Sequence, residues 1–357
     1  MKKQPEINAV LEIFRAREGG SLQIDEPALL TAYEKANADR SGIAIKVLTV
    51  IGGFLVTCAF LGFLFLADLY NSGLGMAITG FIFVAGALIV KRVYDILILD
   101  TFAVSFFICG CLLILLGTME SRMDETAVSL MFIIISLISM LFVQNYMMSF
   151  TATCILHAAI IGLIHSFRYR SYLPLESYTG LVILFFTFWL LEEPRIASGN
   201  TRLSRLYNPV RLGSLAAILF EGIYLSNDGW LFRTKYSGWI SSILAIVCIL
   251  FLTPKILKRL ELHQPAATVI AFTAAILTLA PTFWAPSIAI SLLIILLCFY
   301  VNYKTGIVAG ILALIWFVSD FYYSLSATLL TKSLMMMGTG FFFLLLCLLT
   351  HKKLTSK

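Results

Sequence analysis

Glu221 stands in residues 212–224, a run that carries no other charge. An ionised carboxylate held at mid-membrane costs several kcal/mol, so such a group normally faces a cavity or a partner. Two readings fit it. Either Glu221 relays a proton or cation or touches a substrate, or the span is shifted so that Glu221 lies at the outer interface beside Asn227 and Asp228. His157 and His165 are eight residues apart, about two helical turns, and so share roughly one face. Imidazoles titrate near neutrality and can shuttle protons. The alternative places His157 as a buried ring bonded to a neighbouring helix and His165 at the interface next to Arg168. No Glu or second His stands at metal-ligand spacing, and no His-Glu-x-x-His pattern occurs.

A second group of polar residues lies near the C-terminal end of the chain. Asp320, Tyr322, Tyr323 and Lys332 surround the join between two apolar runs. The tyrosines suit a membrane interface, where an amphipathic ring has a wet and a dry side. Ser326 or Thr328 is placed to cap the final helix. Lys332, about one turn inside it, can snorkel outward or reach Asp320 and clamp the two helices together. Asp68, Asp95, Asp100 and Glu176 stand at the ends of apolar runs, where they are expected to be solvated or to cap helices. No Ser/His, paired-Asp or metal set stands at usable spacing, so nothing here marks an enzyme, and no cofactor motif is present.

These residues must be held by elements of a particular kind. The chain is 60% hydrophobic and only 13% charged. A water-facing globular domain carries roughly 25% charged residues, too many for this sequence to supply. Its outside must meet lipid, where every backbone N–H and C=O bonds internally, leaving helices or a closed barrel. The apolar runs are of helix length and do not alternate as barrel strands do. The seven cysteines all fall inside these runs and read as small buried hydrophobes.

The sequence therefore predicts an all-α, polytopic transmembrane bundle of about 12 spans, with about 10 as the lower bound. The expected spans are 47–67, 73–90, 99–118, 126–143, 147–166, 174–191, 209–226, 238–253, 265–280, 286–300, 305–320 and 329–349. Pro265, Pro281 and Pro286 bracket the ninth and tenth, which are either two short spans or a broken, re-entrant pair. Gly306-x-x-x-Gly310 has the spacing that lets helices approach closely, and is expected to pack within the chain. Residues 1–42 form a cytoplasmic amphipathic helical hairpin: Ile7, Val10, Leu11 and Phe14 give one apolar stripe, and Leu29, Ala32, Tyr33 and Ala36 a second. Residues 43–350 form the transmembrane domain and 351–357 a basic tail. Lys2 and Lys3 precede no apolar run, so the first membrane helix, from about residue 46, is expected to serve as its own insertion signal.

Charge sets the expected orientation. With both termini in the cytoplasm, 20 of the 26 Lys and Arg fall on the cytoplasmic side. That obeys the positive-inside rule. The net charge of +6 suits an anionic leaflet, and dispersed basic loops offer no groove for nucleic acid.

The run from Tyr322-Tyr323-Ser324-Leu325 through Thr328-Leu329-Leu330-x-Lys332-Ser333 to Gly338 resembles the closing motif of bacterial membrane proteins in the domain-of-unknown-function family 4401. The related family 2157 ends similarly, and the N-terminal hairpin leading to Gly52-Gly53 is also similar to that group. The resemblance implies a bacterial inner-membrane protein of many spans. It further implies, as a candidate partner, a small membrane-anchored protein encoded nearby that carries a Gly-Asp-Tyr motif. It transfers no catalytic residues. Two functions are compatible with the sequence: a membrane interaction or scaffold component of an envelope complex, which asks least of the residues, and a carrier or channel for a small or lipidic substrate that uses Glu221.

Overall fold

Short polar links set where the helices begin and end. Asp124 caps the helix that starts at Glu125 by accepting the Ala127 N–H at 3.3 Å, and Asn145 caps the one that starts at Tyr146 by accepting the Met147 N–H at 3.0 Å. Each satisfies one of the donors a helix start leaves orphaned. Asn302 ends the helix over Pro286–Val301 in the left-handed region at φ 61°, a conformation that Asn tolerates better than most residues. Pro265 and Pro286 each open a helix, where a missing N–H costs nothing.

The computed structural model of the protein describes residues 72–93, 97–143, 145–167, 173–199, 201–226, 238–259 and 265–324, with scattered helical positions between 52 and 66 and between 328 and 344. The elements are α1 Gly73–Val93, α2 Leu97–Glu120, α3 Glu125–Phe142, α4 Tyr146–Ser166, α5 Leu173–Leu191, a short α6 Glu193–Ser198 and α7 Thr201–Ser226. They continue with α8 Trp239–Arg259, α9 Pro265–Leu279, a 3-10 turn over Ala280–Trp284, α10 Pro286–Val301 and α11 Lys304–Ser324. No strand occurs among the described residues. Among the described residues seven helices are long and apolar enough to cross a membrane, namely α1 to α5, α8 and α11. The amphipathic hairpin over 1–42, the tail over 351–357 and most of the first and last expected spans lie outside the described residues.

The expected spans and the helices overlap in position from α1 to α11, with three refinements, one being that α8 runs on to Arg259, six residues past the expected 253, with Pro254 inside it. α7 begins eight residues before the expected 209 and carries Pro209 inside it. The proline-bracketed segment is two helices of 15 and 16 residues joined by the 3-10 turn, each shorter than the ~20 residues of a full crossing.

The links force consecutive long helices to run antiparallel. One end of the bundle therefore gathers Arg92, Arg202, Arg205, Lys258, Arg259 and Lys304, and is called the basic end below. α1 and α2 form the tightest pair. Gly80 and Gly110 meet at their crossing, where a Cβ on Gly110 would sit 2.7 Å from the Gly80 carbonyl oxygen. Only a residue without a side chain permits that approach.

Apolar contact then builds two cores. α1 to α4 enclose Val84, Phe107, Ile114, Phe132, Met148 and Ala152. α5, α7, α8 and α10 enclose Ile183, Phe186, Leu215, Ile218, Leu252 and Ile290. α10 runs through the second core, buried on all but the face that carries Ile288, Leu292, Ile295, Leu296 and Phe299. Gly306 and Gly310 of α11 pack against Cys298, Ile294 and Ile295 of α10, the intramolecular role expected of them. α4 and α7 join the two cores, with Gly213 packed on Thr153. The described cysteines are Cys109, Cys111, Cys248 and Cys298, all buried, and half-buried Cys154; none forms a disulfide.

Candidate functional site

Where α4, α5 and α7 meet, an apolar core receives several polar side chains. Glu221 comes from α7, about one and a half turns before its end at Ser226. It is only 3% exposed, and both carboxylate oxygens lack a hydrogen-bond partner. Burial of this kind is costly, because the group loses water and gains in return no more than the nearby Thr179 hydroxyl, which is itself committed elsewhere. Thr179 of α5 lies beside the carboxyl, its own hydroxyl donated to the Leu175 carbonyl at 3.1 Å. Tyr178, one residue earlier, is near Glu221. The Tyr178 hydroxyl is 2.7 Å from Nδ1 of His157 on α4, a hydrogen bond whose direction follows the imidazole tautomer. Glu221 and His157, singled out separately in the sequence, thus share one tyrosine as a neighbour.

The surroundings fix the position of this group. The Ser287 hydroxyl of α10 donates to the Gly222 carbonyl at 2.7 Å, which ties the start of α10 to the turn that carries Glu221. The tip of the Phe317 ring of α11 packs against Gly222. Toward the nearer end of the bundle stands Glu176, which corrects the expectation that it would be a solvated end residue. It is 2% exposed, and its Oε1 accepts the Gly238 N–H at 2.8 Å. Gly238 holds φ +61° and abuts Pro286, a backbone shape that suits glycine. Burial follows because Gly238, at the start of α8, and Pro286, at the start of α10, lie over the first turn of α5. Glu176 Oε2 and the Ser241 hydroxyl are likewise buried without partners.

Sequence reasoning passed over Tyr178, Thr179 and the burial of Glu176. A signal was present. Glu176, Ser177, Tyr178 and Thr179 are four polar residues in succession within an apolar helix, and Glu176 and Thr179 at i, i+3 share a face.

The other flagged residues lie elsewhere. His165 is exposed at the end of α4, as an interfacial residue would be. Lys332 does not approach Glu221. Its Nζ donates to the Tyr322 carbonyl at 2.8 Å and sits 5.1 Å from the Tyr322 ring centroid. Among the described residues no ion pair joins it to half-buried Asp320, so the link across the join runs through the Tyr322 backbone instead of the Asp320 carboxylate. A backbone carbonyl at the end of α11 is itself a partial negative charge. Tyr323 is exposed and edge-on to Tyr322. Thr328 caps the segment that carries Lys332, accepting the Thr331 N–H at 3.4 Å.

At the basic end Arg211 makes a different kind of contact. Its guanidinium lies 3.9 Å from the Tyr303 ring centroid and 5.0 Å from that of Tyr207, and it donates to Asn208 at 2.7 Å. Glu193 is 3.7 Å away. Burial raises the Tyr303 phenol above its ordinary range, with Arg211 pulling the other way. This is a staple between α6, α7 and the α10–α11 link.

What remains available for chemistry is proton exchange and hydrogen bonding at Glu221, Tyr178 and His157. Among the described residues no three His, Cys, Asp or Glu gather as metal ligands. A family model described as Domain of unknown function (DUF4401) matches residues 43–353 of the chain. No curated protein and no solved structure matches it. The chain belongs to the DUF4401 family, and its long apolar helices make it a membrane protein.

Proposed function

We propose that this DUF4401 protein is a multi-pass carrier of the bacterial inner membrane in which Glu221 takes up and releases a proton or small cation. The observation that carries this reading is the Glu221 carboxyl itself, buried with both oxygens unpartnered at the junction of three helices. A residue kept only for packing would be apolar, or would be satisfied by its neighbours. Tyr178 and His157 supply a second exchangeable step beside it. The basic end faces the cytoplasm in this reading, in accord with the positive-inside rule, and the bundle has about 12 spans with both termini inside.

The experiment is proton flux into liposomes reconstituted with the full chain, read with an internal pH dye under an imposed potassium diffusion potential. Flux above that of protein-free liposomes is expected, falling to background in Glu221→Gln at unchanged yield. Equal flux in the two proteins, or none in either, overturns the carrier reading. The second reading is an envelope scaffold, with a small membrane-anchored partner. It draws on an apolar groove of about 530 Å³ between α1 and α3, lined by Phe81, Leu88, Leu130 and Ile138 among others, wide enough to receive part of another helix. It expects a stoichiometric second protein on gentle extraction and no effect of Glu221→Gln on that association.

A further inference from the structure

One side of α7 is polar where a buried helix face is ordinarily apolar. Tyr207, Arg211, Ser214, Ile218 and Glu221 follow one another at steps of four and three residues, so they line up along that side. Tyr207, Ser214, Ile218 and Glu221 are all buried, whereas Phe220 and Ile223, off that side, are exposed. The side looks toward α5 and α10. Trp189 of α5 donates to the Tyr207 carbonyl at 3.3 Å, Thr179 of α5 lies beside Glu221, and Arg211 lies against Tyr303, just after α10. Ser214 stands between Arg211 and Glu221, its hydroxyl buried and without a hydrogen-bond partner. The Thr179 and Thr187 hydroxyls of α5, by contrast, donate to carbonyls of their own helix. Ile218 is the one apolar member of the row and separates Ser214 from Glu221.

We propose that this side of α7 is the route by which protons reach Glu221 from the basic end, and that the Ile218 side chain is the plug that closes it; the proposal rests on the carrier reading of Glu221. The mouth of the route is the Arg211–Glu193 pair. Its side chains are 14% and 37% exposed, so water reaches them, and the carboxylate 3.7 Å away offsets a guanidinium charge that would otherwise repel a proton. The Ser214 hydroxyl, next along, both donates and accepts, which suits it to a chain of water molecules. From Ser214 to Glu221 is about 10 Å along the helix, and buried Ile218 fills the middle of that gap. An apolar constriction on a polar path stops conduction by excluding water. A proton that passes it binds the Glu221 carboxylate, which becomes the neutral acid, and departs when the carboxylate re-forms. A side kept only for packing would be apolar throughout, as the fully buried row of Ile183, Phe186 and Leu190 is on the facing α5.

The test has two arms, of which the first does not depend on transport. Ser214→Cys and Leu215→Cys, each in the full chain in liposomes, are exposed to a small water-soluble methanethiosulfonate reagent, with peptide mass spectrometry to separate the new thiol from the native ones. Leu215 is at the same depth and as buried as Ser214, but lies off the polar side. Labelling of Ser214→Cys and protection of Leu215→Cys are expected. The second arm compares Ile218→Thr with Ile218→Val, two side chains of one shape that differ by a hydroxyl. Ile218→Thr raises proton flux roughly tenfold over Ile218→Val, and the rise disappears when Glu221→Gln is added. Equal flux through the threonine and valine variants overturns the plug. Flux without labelling of Ser214→Cys overturns the route and leaves the carrier reading standing. Labelling without flux in any variant overturns the carrier reading, and with it the use of the route by protons.

Discussion

Replacing Glu221 by methionine is expected to make the protein more stable. Methionine is unbranched, similar in length, and able to fill an irregular gap, so the core between α4, α5 and α7 closes around it with little strain. The change removes two buried oxygens that have no hydrogen-bond partner. Leaving such a group unsatisfied costs about 1–3 kcal/mol, and more when it is charged. Glu221→Met should return that amount. Each kcal/mol corresponds to roughly 2–4 °C in the unfolding midpoint of a large chain, so the midpoint rises by a few degrees. Glu221→Gln keeps two polar atoms in the same place and leaves the midpoint nearly unchanged. Both variants lose proton flux. The assay is intrinsic tryptophan fluorescence during heating in one detergent, with intact protein and both variants at equal concentration. A midpoint lowered by methionine to a similar extent would refute the reasoning, because it would mean that the carboxyl has a partner that holds the fold together. Stability sacrificed at a buried polar group is a common mark of function, and the methionine variant measures it directly.

Three further changes probe the surroundings. Tyr178→Phe removes the hydroxyl 2.7 Å from His157 and strands the imidazole, lowering stability by about 1–3 kcal/mol in the same heating assay and slowing proton flux. Glu176→Ala leaves the buried Gly238 N–H without its acceptor and costs about 1.5–3 kcal/mol, whereas Glu176→Gln retains a carbonyl oxygen there and costs less; the two midpoints compared within one run distinguish loss of the acceptor from loss of charge. Gly110→Val sets side-chain atoms against the Gly80 carbonyl and forces α1 from α2, at a cost of about 1–3 kcal/mol or more, read as a reduced monodisperse fraction in size-exclusion chromatography.

Much of the architecture follows from transfer free energy alone, which is a property of each residue and its neighbours in sequence. The runs too apolar for water mark α1 to α5 and α8 to within a few residues, and Asp124, Asn145 and Pro286 mark where helices begin because capping is local. Glu221 was conspicuous for the same reason, as one carboxylate in an apolar run. α7 was legible only in part. Its first turns are polar and basic, so hydropathy placed its start at 209 when the helix begins at Thr201.

The partners were a different matter. A helix apolar on all sides carries no stripe to say which face turns inward, unlike the helix of a soluble protein. Tyr178 and Glu176 therefore stand out as members of a polar run, but nothing in that run names His157 or Gly238 as their partners. Lys332 could be matched with Asp320 by charge, but the bond it makes is to the Tyr322 carbonyl, an acceptor that every residue carries and that no sequence pattern marks. Arg92 and Arg202 are more than a hundred residues apart and share a cleft only because α1 and α3 end where α7 begins. The sequence by itself determined that the chain is helical and lipid-embedded and where its charges lie along it, because those depend on local transfer and capping energies. Only the tertiary structure decided which polar groups meet, which stay unpartnered, and which helix ends bring distant arginines together, because those depend on the faces that long-range packing brings together.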